Sequence, residues 1–212
     1  MLDEKLQGYL DSLLPARDGV LMKMEVYAKE HGVPIMEAAG IEAMLQILRI
    51  QKPETILEVG TAIGYSALRM AHALPGVQIV TIERDEERLD LAKAYIKEAG
   101  KESQIKTIHG DALETLAQAS QWAPYDTIFI DAAKGQYKRF FEMYSALLRP
   151  GGMIITDNVL FKGLVTAEEI ESKRIRNLVK KIDGFNHWLV SHPKFDTVIL
   201  PVGDGVAISK LR

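Results

Sequence analysis

Two acidic residues, an asparagine and a lysine follow two short apolar segments of the sequence. Asp131 and Lys134 come after the first of these segments, and Asp157 and Asn158 come after the second. Carboxylate and amide oxygens suit Mg²⁺ or another hard divalent cation, and a lysine beside such a cation is a suitable general base. The pattern indicates metal-assisted proton transfer. Taken singly, each acid is also typical of a helix cap or a solvated strand end, and the lysine of a solvent-facing side chain.

A glycine turn follows another apolar segment, in the pattern Glu58-Val-Gly60-x-x-x-Gly64. Glycines at such a turn let the backbone approach a ligand closely. The spacing differs from the GxGxxG of dinucleotide-binding proteins, in which bare helix N–H groups hold a pyrophosphate. It suits an adenosyl ligand with an amino-acid tail, whose ammonium group Glu58 would meet through water and whose carboxylate Ser66 would bind. A tight turn without function is the alternative interpretation.

Two further segment ends carry polar groups that a nucleoside would need. Glu83 comes about 20 residues after the glycine turn, where an acid accepts ribose hydroxyls. Asp111 and Ala112 offer a carboxylate and a backbone N–H to the amino group and ring of an adenine. Glu83 is equally typical of a surface acid before a helix, and Asp111 of an N-cap. Because suitable groups follow three successive segments, the pattern favours a nucleoside site.

The elements that position these residues are short apolar segments alternating with amphipathic ones. This alternation predicts a parallel sheet covered by helices on both faces. We predict strands at 55–59, 78–82, 105–109, 127–130 and 153–156, and helices at 66–73, 86–99, 112–119 and 136–148. Pro150-Gly151-Gly152 is expected to stop the last helix before the fifth strand. An antiparallel hairpin at 196–202 and 206–210, turning through Gly203-Asp204-Gly205, completes a seven-stranded, mostly parallel, doubly wound Rossmann-like α/β sheet.

Three helical patterns precede the sheet, at residues 2–14, 19–31 and 37–50, with prolines between them. The chain has 212 residues and shows no repeat or linker. We therefore interpret it as one domain, in which residues 1–51 form a helical cover and residues 52–212 form the α/β core.

Composition and charge narrow the classes of function. The chain has no cysteine, and its five histidines show no ligand spacing, so thiolate and imidazole metal centres are not expected. A net charge of −3 argues against a protein coated in positive charge for nucleic acid, while leaving room for a local basic patch. No apolar segment approaches ~20 residues and the acidic start lacks a signal-peptide pattern, so we expect a cytoplasmic protein without membrane contact.

Three motifs of the chain resemble those of the cation-dependent O-methyltransferases of the catechol and caffeoyl-CoA type. They are Ile56-Leu-Glu-Val-Gly-Thr-Ala-Ile-Gly-Tyr-Ser-Ala67, Asp131-Ala-Ala-Lys134 and Thr156-Asp-Asn158. The resemblance runs nearly end to end and implies a class I methyltransferase fold with S-adenosylmethionine and Mg²⁺ as cofactors. It implies that Asp131, Asp157 and Asn158 bind the metal and that Lys134, beside Asp131, is the catalytic base. The candidate cofactor contacts, among which Met36 rests on the resemblance alone, are Met36, Glu58, Gly60, Ser66, Glu83, Asp111, Ala112 and Asp131.

The resemblance also implies a mechanism. Two vicinal oxygens of the acceptor chelate the metal, which acidifies one hydroxyl, and Lys134 takes the proton. The resulting oxyanion attacks the sulfonium methyl in line, in a site that excludes water. Ala133 stands where the catechol enzyme has a bulky aromatic residue. The aromatic wall that holds a small flat substrate is therefore missing, which argues against catechol as the acceptor.

A basic segment near the C-terminus bears on the identity of the acceptor. Five cations and no acid occur within nine residues: Lys173, Arg174, Arg176, Lys180 and Lys181. With Glu168, Glu169 and Glu171 ahead of them, they fit a solvated helix whose charges follow the order that the helix dipole favours. The alternative, to which Lys162 also belongs, is a phosphate-binding rim.

Further segments are similar to the bacterial tRNA 5-hydroxyuridine methyltransferases, which make 5-methoxyuridine at the wobble position. They are Pro34-Ile-Met36, Phe129-Ile-Asp-Ala-Ala-Lys-Gly-Gln-Tyr137, Asp157-Asn-Val-Leu-Phe-Lys-Gly-Leu-Val165, Lys180-Lys-Ile-Asp183 and Asn186-His-Trp-Leu189. The resemblance implies a tRNA anticodon stem-loop as partner, held by the basic segment, and a homodimer in which the N-terminal helices are a candidate contact. O5 and O4 of 5-hydroxyuracil form a chelate analogous to a catechol. A small-molecule catechol or phenol methyltransferase, and a non-catalytic RNA- or partner-binding relic of the fold, are the alternatives.

Overall fold

A seven-stranded sheet is the frame of the computed structural model, which describes residues 4–17 and 19–212. The strands are β1 Thr55–Val59, β2 Gln78–Glu83, β3 Ile105–His109, β4 Tyr125–Ile130, β5 Leu148–Thr156, β6 Phe195–Leu200 and β7 Val206–Leu211. Their spatial order is β3-β2-β1-β4-β5-β7-β6. The first five strands pair in parallel, and β7 runs antiparallel to both β5 and β6. The predicted doubly wound sheet with its C-terminal hairpin is confirmed.

Helices cover both faces of the sheet, and the three N-terminal helices precede it in the chain. In the described part of the chain they are α1 Glu4–Ser12, α2 Gly19–His31, α3 Ala38–Gln51, α4 Tyr65–Ala73, α5 Glu86–Glu98, α6 Leu116–Ala119, α7 Tyr137–Tyr144 and α8 Lys173–Val190. The bounds of α2 agree with the prediction. The first two residues of the helix predicted at 2–14 lie outside the described residues, and α1 ends at Ser12.

Three predicted elements are wrong in extent. The helix predicted at 136–148 ends at Tyr144, and the other two differ for local reasons. The helix predicted at 112–119 forms only over α6, because the Asp111 carboxylate accepts the Leu113 N–H at 2.8 Å and holds the chain in a turn. Strand β5 begins at Leu148, so Pro150-Gly151-Gly152 lies inside a strand instead of stopping a helix before it. A register shift opposite Tyr125 accommodates the additional residues as a bulge.

The strands at the centre of the sheet are buried on both faces. In β1, Ile56 packs with the apolar residues of α2, α3 and α4, whereas Leu57 and Val59 pack on the other face with those of α7 and α8. Burial on both faces explains why the strand segments are apolar at consecutive positions. Each fully buried side chain of this size stabilises the fold by about 1.5–3 kcal/mol.

The N-terminal helices are tied to α4 by a polar network. Arg69 of α4 is buried and donates to the Tyr65 hydroxyl at 3.0 Å and to Glu42 of α3 at 2.5 Å. Tyr65 in turn donates to Glu25 of α2 at 2.5 Å, and Glu25 also accepts from Arg17 at 2.6 Å. These bonds fix Tyr65 at the start of α4, beside the end of β1.

Exposed apolar side chains lie on the N-terminal helices. Tyr9 of α1 and Met22 and Val26 of α2 are exposed, and apolar surface of this kind is typical of contact sites. The homodimer stays a prediction, because this structure contains one chain. Among the helices described here, none combines the length and the apolar character that crossing a bilayer requires.

Candidate functional site

A cavity of about 620 Å³ opens at the carboxyl ends of the parallel strands. It lies beside β1 and β4, where the strand order reverses, which is the usual position of ligand sites in open α/β sheets. All but one of the predicted cofactor contacts line it: Met36, Gly60, Ser66, Glu83, Asp111, Ala112 and Asp131. Lys134, Asp157, Asn158 and Lys162 line the same cavity.

The glycine turn after β1 is shaped by its neighbour β4. Gly60 has a φ of 107°, and a Cβ atom at this position would lie 2.0 Å from the carbonyl oxygen of Asp131. The Asp131 N–H also donates to the Val59 carbonyl at 2.9 Å. The sequence predicts Gly60 as a point of close approach to a ligand. The structure shows in addition that the backbone of β4 requires a glycine there.

Glu83 at the end of β2 holds the glycine turn in place. One of its carboxylate oxygens accepts the Ala62 N–H at 2.8 Å, and the other accepts the N–H groups of Arg84 and Asp85 at 3.0 and 2.9 Å. Because each carboxylate oxygen has two acceptor sites, the oxygen that faces Ala62 keeps one for a ligand hydroxyl. The predicted ribose-binding position of Glu83 is therefore compatible with its protein contacts.

Glu58 lies beneath the cavity and does not line it. Its carboxylate is fully buried and accepts the hydroxyl of Ser66 on one oxygen and that of Thr81 on the other. Burial raises the pKa of Glu58 to about 8, although these two hydrogen bonds lower it. In this arrangement Glu58 orients Ser66 at the cavity wall, and its predicted contact with a ligand ammonium through water stays a prediction.

We expect Glu58→Gln to remove a pH dependence of stability. The carboxyl group loses its proton near pH 4.5 in the unfolded chain and near pH 8 in the folded one. Between these values the folded state binds more protons, so the free energy of unfolding falls as pH rises, by up to about 1.4 kcal/mol per pH unit. Glutamine does not titrate, so the difference in unfolding free energy between the variant and the unaltered protein should move in favour of the variant from pH 5 to pH 8. Urea denaturation at both pH values measures this difference, and a constant difference would contradict the buried position of Glu58.

The turn after β3 places Asp111 at the cavity wall, as a ligand contact requires. Asp111 is not a helix N-cap, because its carboxylate accepts the Leu113 N–H within a turn and α6 begins only at Leu116. The Tyr144 hydroxyl donates to the Ala112 carbonyl at 2.7 Å, which fixes the backbone at the cavity wall.

The predicted metal ligands converge after β4 and β5. Asp157 is 1% exposed, and its carboxylate accepts from the Asn158 amide nitrogen at 3.1 Å. The amide oxygen of Asn158 accepts from Lys134 Nζ at 2.5 Å. Asn158 has a φ of 58°, a conformation that is uncommon outside glycine and that often marks functional sites.

Electrostatics in this cluster favour a bound cation. Burial raises the pKa of Asp157 to about 8, and the negative charge of Asp131 is the next cause. Burial likewise raises the pKa of Asp131, whereas Lys134 lowers it and Asp204 raises it. The ammonium group of Lys134 neutralises only part of the negative charge of these carboxylates, and a divalent cation would neutralise the remainder. Within residues 4–17 and 19–212 no three acidic or histidine side chains form a metal centre, so the set that fits a cation consists of two carboxylates and the Asn158 amide.

Asp204 lines the cavity, although the sequence predicts it only as part of a hairpin turn. It is 8% exposed, and its two oxygens accept from the Lys162 backbone N–H and, at 3.3 Å, from the Asn158 amide. An acid between two glycines is the usual composition of a turn. Its local sequence therefore carries no signal of a position beside Asn158.

Comparison with known proteins assigns the family. Residues 15–211 match the model of the O-methyltransferase family. The chain belongs to the O-methyltransferase family. A catechol O-methyltransferase of Niastella koreensis is 32% identical to it, with 99% of this chain and 97% of the relative covered. A caffeoyl-CoA O-methyltransferase of Stellaria longipes is 31% identical, with 98% and 90% covered.

Solved structures of O-methyltransferases share the whole fold. A caffeoyl-CoA O-methyltransferase candidate from Staphylococcus aureus is 36% identical with a TM-score of 0.93, covering 99% of this chain and all of the other. An O-methyltransferase from Bacillus cereus, solved with S-adenosylhomocysteine (SAH), is 28% identical with a TM-score of 0.83, covering 98% of this chain and 97% of the other. The predicted class I methyltransferase fold is confirmed.

The structure of the basic segment does not agree with the interpretation in which its charges follow the order that the helix dipole favours. Helix α8 begins at Lys173, after the N-cap Ser172, and has no acid in its first turn. The glutamates expected to lead the helix precede it, so the predicted order of charges along the dipole is wrong. Lys173, Arg174 and Arg176 stand instead at the positive end of the helix, where the dipole disfavours them, and Lys180 and Lys181 lie in its middle.

The cations of the basic segment differ in position relative to the cavity of the methyltransferase. Lys162 lines the cavity, and Lys181 Nζ lies 3.7 Å from the position that a Gly135 Cβ would take, next to Lys134. The Arg176 guanidinium is bound to the Ile170 carbonyl at 2.7 Å. The remaining cations of the segment are exposed on α8: Lys173, Arg174 and Lys180.

Proposed function

We propose that this O-methyltransferase uses S-adenosylmethionine and a hard divalent cation to methylate 5-hydroxyuridine at the wobble position of a tRNA anticodon. The observation that carries the choice of acceptor is the set of cations on α8, of which Lys173, Arg174 and Arg176 stand at its N-terminus and Lys181 lies near Gly135, next to Lys134. Cations are disfavoured at that end of a helix, so their presence there calls for an anionic partner. RNA phosphates are such a partner.

The cavity supports the choice of cofactor. Its volume of about 620 Å³ falls within the ~300–1,000 Å³ of small-molecule sites. Ser66 in the first turn of α4, Glu83 at the end of β2 and the Asp111–Ala112 turn after β3 line it, in the order that an amino-acid tail, a ribose and an adenine require. The Bacillus cereus relative of the same fold was solved with SAH, which supports an adenosyl ligand here.

Asp131, Asp157 and the Asn158 amide oxygen would hold the cation. When bound, the cation supplies Lewis acidity that makes an acceptor hydroxyl more acidic. The Asn158 amide oxygen that would bind the cation also accepts a hydrogen bond from Lys134 Nζ at 2.5 Å. Lys134 is therefore held within a hydrogen bond's length of the cation site, where a base for the acceptor is needed.

Residues of the chain would accept the proton and align the reactants. Lys134 Nζ would receive the proton of the acceptor hydroxyl, and the Phe161 ring, whose centre lies 6.0 Å from Nζ, shields it on one side. Glu83 and Ser66 would align the methyl donor with the acceptor oxygen. Alignment and exclusion of water accelerate a transfer in which opposite charges are neutralised.

A small catechol or phenol is a second candidate acceptor, and the cavity wall favours it in one respect. Phe140 and Phe161 line the cavity, so aromatic surface is available although residue 133 is alanine. The relatives named for catechol and caffeoyl-CoA share about a third of their residues with this chain.

The decisive experiment offers both acceptors to the same enzyme. Purified protein, labelled S-adenosylmethionine and Mg²⁺ are incubated with tRNA that carries 5-hydroxyuridine at the wobble position, with the same tRNA lacking the hydroxyl, with catechol and with caffeoyl-CoA. We expect label in the hydroxylated tRNA, with a kcat/KM on the order of 100-fold or more above that of the small phenols. Comparable efficiency with a small phenol would overturn the tRNA assignment, and no transfer to any acceptor would favour the non-catalytic relic.

Charge-reversal variants test the phosphate rim in the same assay. Lys180→Glu with Lys181→Glu should weaken tRNA use and reduce the slope of log KM against log salt by about 2, one unit for each lost phosphate contact. The matched control is Lys93→Glu with Lys97→Glu, which makes the same change in net charge on exposed positions of α5, on the other face of the sheet. Equal effects of the two pairs, or an unchanged salt slope, would remove α8 from the proposed interface.

A further inference from the structure

Asp204 lies in the turn between β6 and β7, outside the residues assigned above to the cation, the proton or the cofactor. It is 8% exposed, and both of its oxygens are engaged. One accepts the backbone N–H of Lys162, and the other accepts the side-chain amide of Asn158 at 3.3 Å. A buried carboxylate with two donors from the cavity wall is a candidate for a positioning role.

The contacts of Asn158 show what Asp204 can position. A side-chain amide has two orientations that differ by exchange of its oxygen and nitrogen. In this structure the nitrogen faces two carboxylate oxygens, those of Asp157 at 3.1 Å and Asp204 at 3.3 Å. The opposite orientation would place the amide oxygen, an acceptor, against the Asp204 carboxylate and would remove the hydrogen bond that Asn158 donates to it. The nitrogen is therefore held on the acidic side, and the oxygen points to Lys134.

We propose that Asp204 is a positioning residue that fixes the orientation of the Asn158 amide and thereby presents its oxygen to Lys134 and to the cation. This inference rests on the proposed metal-assisted function. Asp204 lines the same cavity and contacts Asn158, one of the residues that would hold the cation. It acts through Asn158, as the outer partners of metal ligands generally do.

The turn that carries Asp204 is built to hold it in place. Gly205 has a φ of 87°, and a Cβ there would lie 2.4 Å from the Leu160 side chain. The backbone of the same turn accepts from Val159 at 3.1 Å and from Leu160 at 3.0 Å. The hairpin is thus bound to the segment that directly follows Asn158, which leaves the Asp204 carboxylate little freedom to move.

A competing role for Asp204 is to hold the neighbouring backbone. Phe161 and Lys162 both have positive φ, of 46° and 55°, and the Lys162 N–H depends on Asp204 for its hydrogen bond. Loss of that bond would disturb the turn without involving the amide. A useful variant must therefore keep the bond to Lys162 and change only the atom that faces Asn158.

Asp204→Asn meets this requirement. Its oxygen can still accept the Lys162 N–H, while its NH₂ group replaces the oxygen that faces Asn158 and favours the reversed amide. Asp196→Asn is the matched control, because Asp196 lies on β6 of the same hairpin and pairs with Arg212 at 2.8 Å on the exposed surface. Both variants remove one negative charge, and both keep the size of the side chain.

The orientation of the amide can be measured by nuclear magnetic resonance without any metal. The amide protons of Asn158 and the backbone amide proton of Lys162 point to the same carboxylate, so we expect a nuclear Overhauser contact between them. The contact should be present in the unaltered protein and in Asp196→Asn, and lost in Asp204→Asn. The loss of a signal pair in Asn158→Asp assigns the Asn158 amide.

Cation affinity is the second measurement, made by titration with Mn²⁺ in the presence of SAH. We expect Asp204→Asn to weaken Mn²⁺ binding by about 10- to 100-fold, as loss of an outer partner of a metal ligand does. SAH affinity should stay within about twofold and the melting temperature within about 4 °C. With the acceptor, kcat should fall while KM changes little, and Asp196→Asn should resemble the unaltered protein throughout.

Two results would overturn the inference. One is a retained Overhauser contact with unchanged Mn²⁺ affinity in Asp204→Asn. The other is a parallel loss of melting temperature and SAH affinity, which would assign Asp204 to the backbone of the turn alone. If the unaltered protein binds no Mn²⁺, the proposed function fails, and the Overhauser comparison still decides whether Asp204 orients the amide.

Discussion

Asp157→Ala should reduce kcat/KM for methyl transfer on the order of 10³-fold, the largest effect that we expect from removing one carboxylate. Asp157 is 1% exposed and lies beside Asp131 and Asn158 at the end of β5. Its loss removes one of the two carboxylates that would hold the cation, while the cofactor contacts after β1, β2 and β3 stay in place. SAH binding should therefore persist within a few-fold, and Mn²⁺ binding should be lost. Initial rates with labelled S-adenosylmethionine and the two titrations measure these quantities.

Stability separates this effect from simple unfolding. Burial and the charge of Asp131 raise the pKa of Asp157 to about 8, so folding at neutral pH without a cation requires this carboxyl group to take up a proton, which lowers the free energy of unfolding. The near-isosteric Asp157→Asn should thus lose activity without losing melting temperature in metal-free buffer. A chelator should likewise abolish the activity of the unaltered protein, and added Mg²⁺ should restore that activity. Full transfer by Asp157→Ala in the presence of chelator would remove the cation from the mechanism.

The parts of this site that the sequence predicts are those encoded locally. Buried parallel strands are apolar at consecutive positions because both faces are covered, so the end of each strand can be found from sequence. Asp131, Asp157 and Asn158 directly follow such strands. Because parallel strands end at one edge of the sheet, their convergence follows from the strand assignment.

The parts that the sequence does not predict depend on distant partners. Asp204 is 46 residues from Asn158 and meets it only because β7 pairs with β5. Glu58 has the expected position on β1, but its carboxylate is held by Ser66 and Thr81 on neighbouring elements. No local pattern specifies these pairs, since each is set by the packing of side chains after the sheet has formed.

The predicted helix boundaries were wrong for a different reason, which is that side chains compete with the helix for backbone hydrogen-bonding groups. Ser172 accepts the Ile175 N–H and starts α8 later than the charge pattern suggests. The start of the helix decides whether Lys173 and Arg174 follow acids or stand at the positive end of the dipole. One capping bond thus reverses the interpretation of the basic segment.

Gly60→Ala is expected to damage stability and activity together, because the obstacle is backbone and not ligand. The new Cβ would lie 2.0 Å from the Asp131 carbonyl oxygen and 2.8 Å from its carbon. Side chains can turn away from such a clash, but the end of β4 cannot. The ends of β1 and β4 would have to separate, which displaces Asp131. Strain at positive φ and overpacking each cost about 1–3 kcal/mol, so we expect a loss of about 3 kcal/mol in the free energy of unfolding.

Gly76→Ala is the control that isolates the clash. Gly76 has a φ of 91°, close to that of Gly60, but a Cβ there meets nothing within 4 Å. It should therefore show the conformational cost alone, about 1–2 kcal/mol, with full activity. The folded fraction of Gly60→Ala should in addition lose on the order of 10² in kcat/KM, since a displacement of about 1 Å at a catalytic group has that effect. Urea denaturation and methyl-transfer rates on both variants measure the difference. If Gly60→Ala matched Gly76→Ala in both, the contact with Asp131 would not restrain the turn, and close approach to the cofactor would be the remaining reason for glycine at this position.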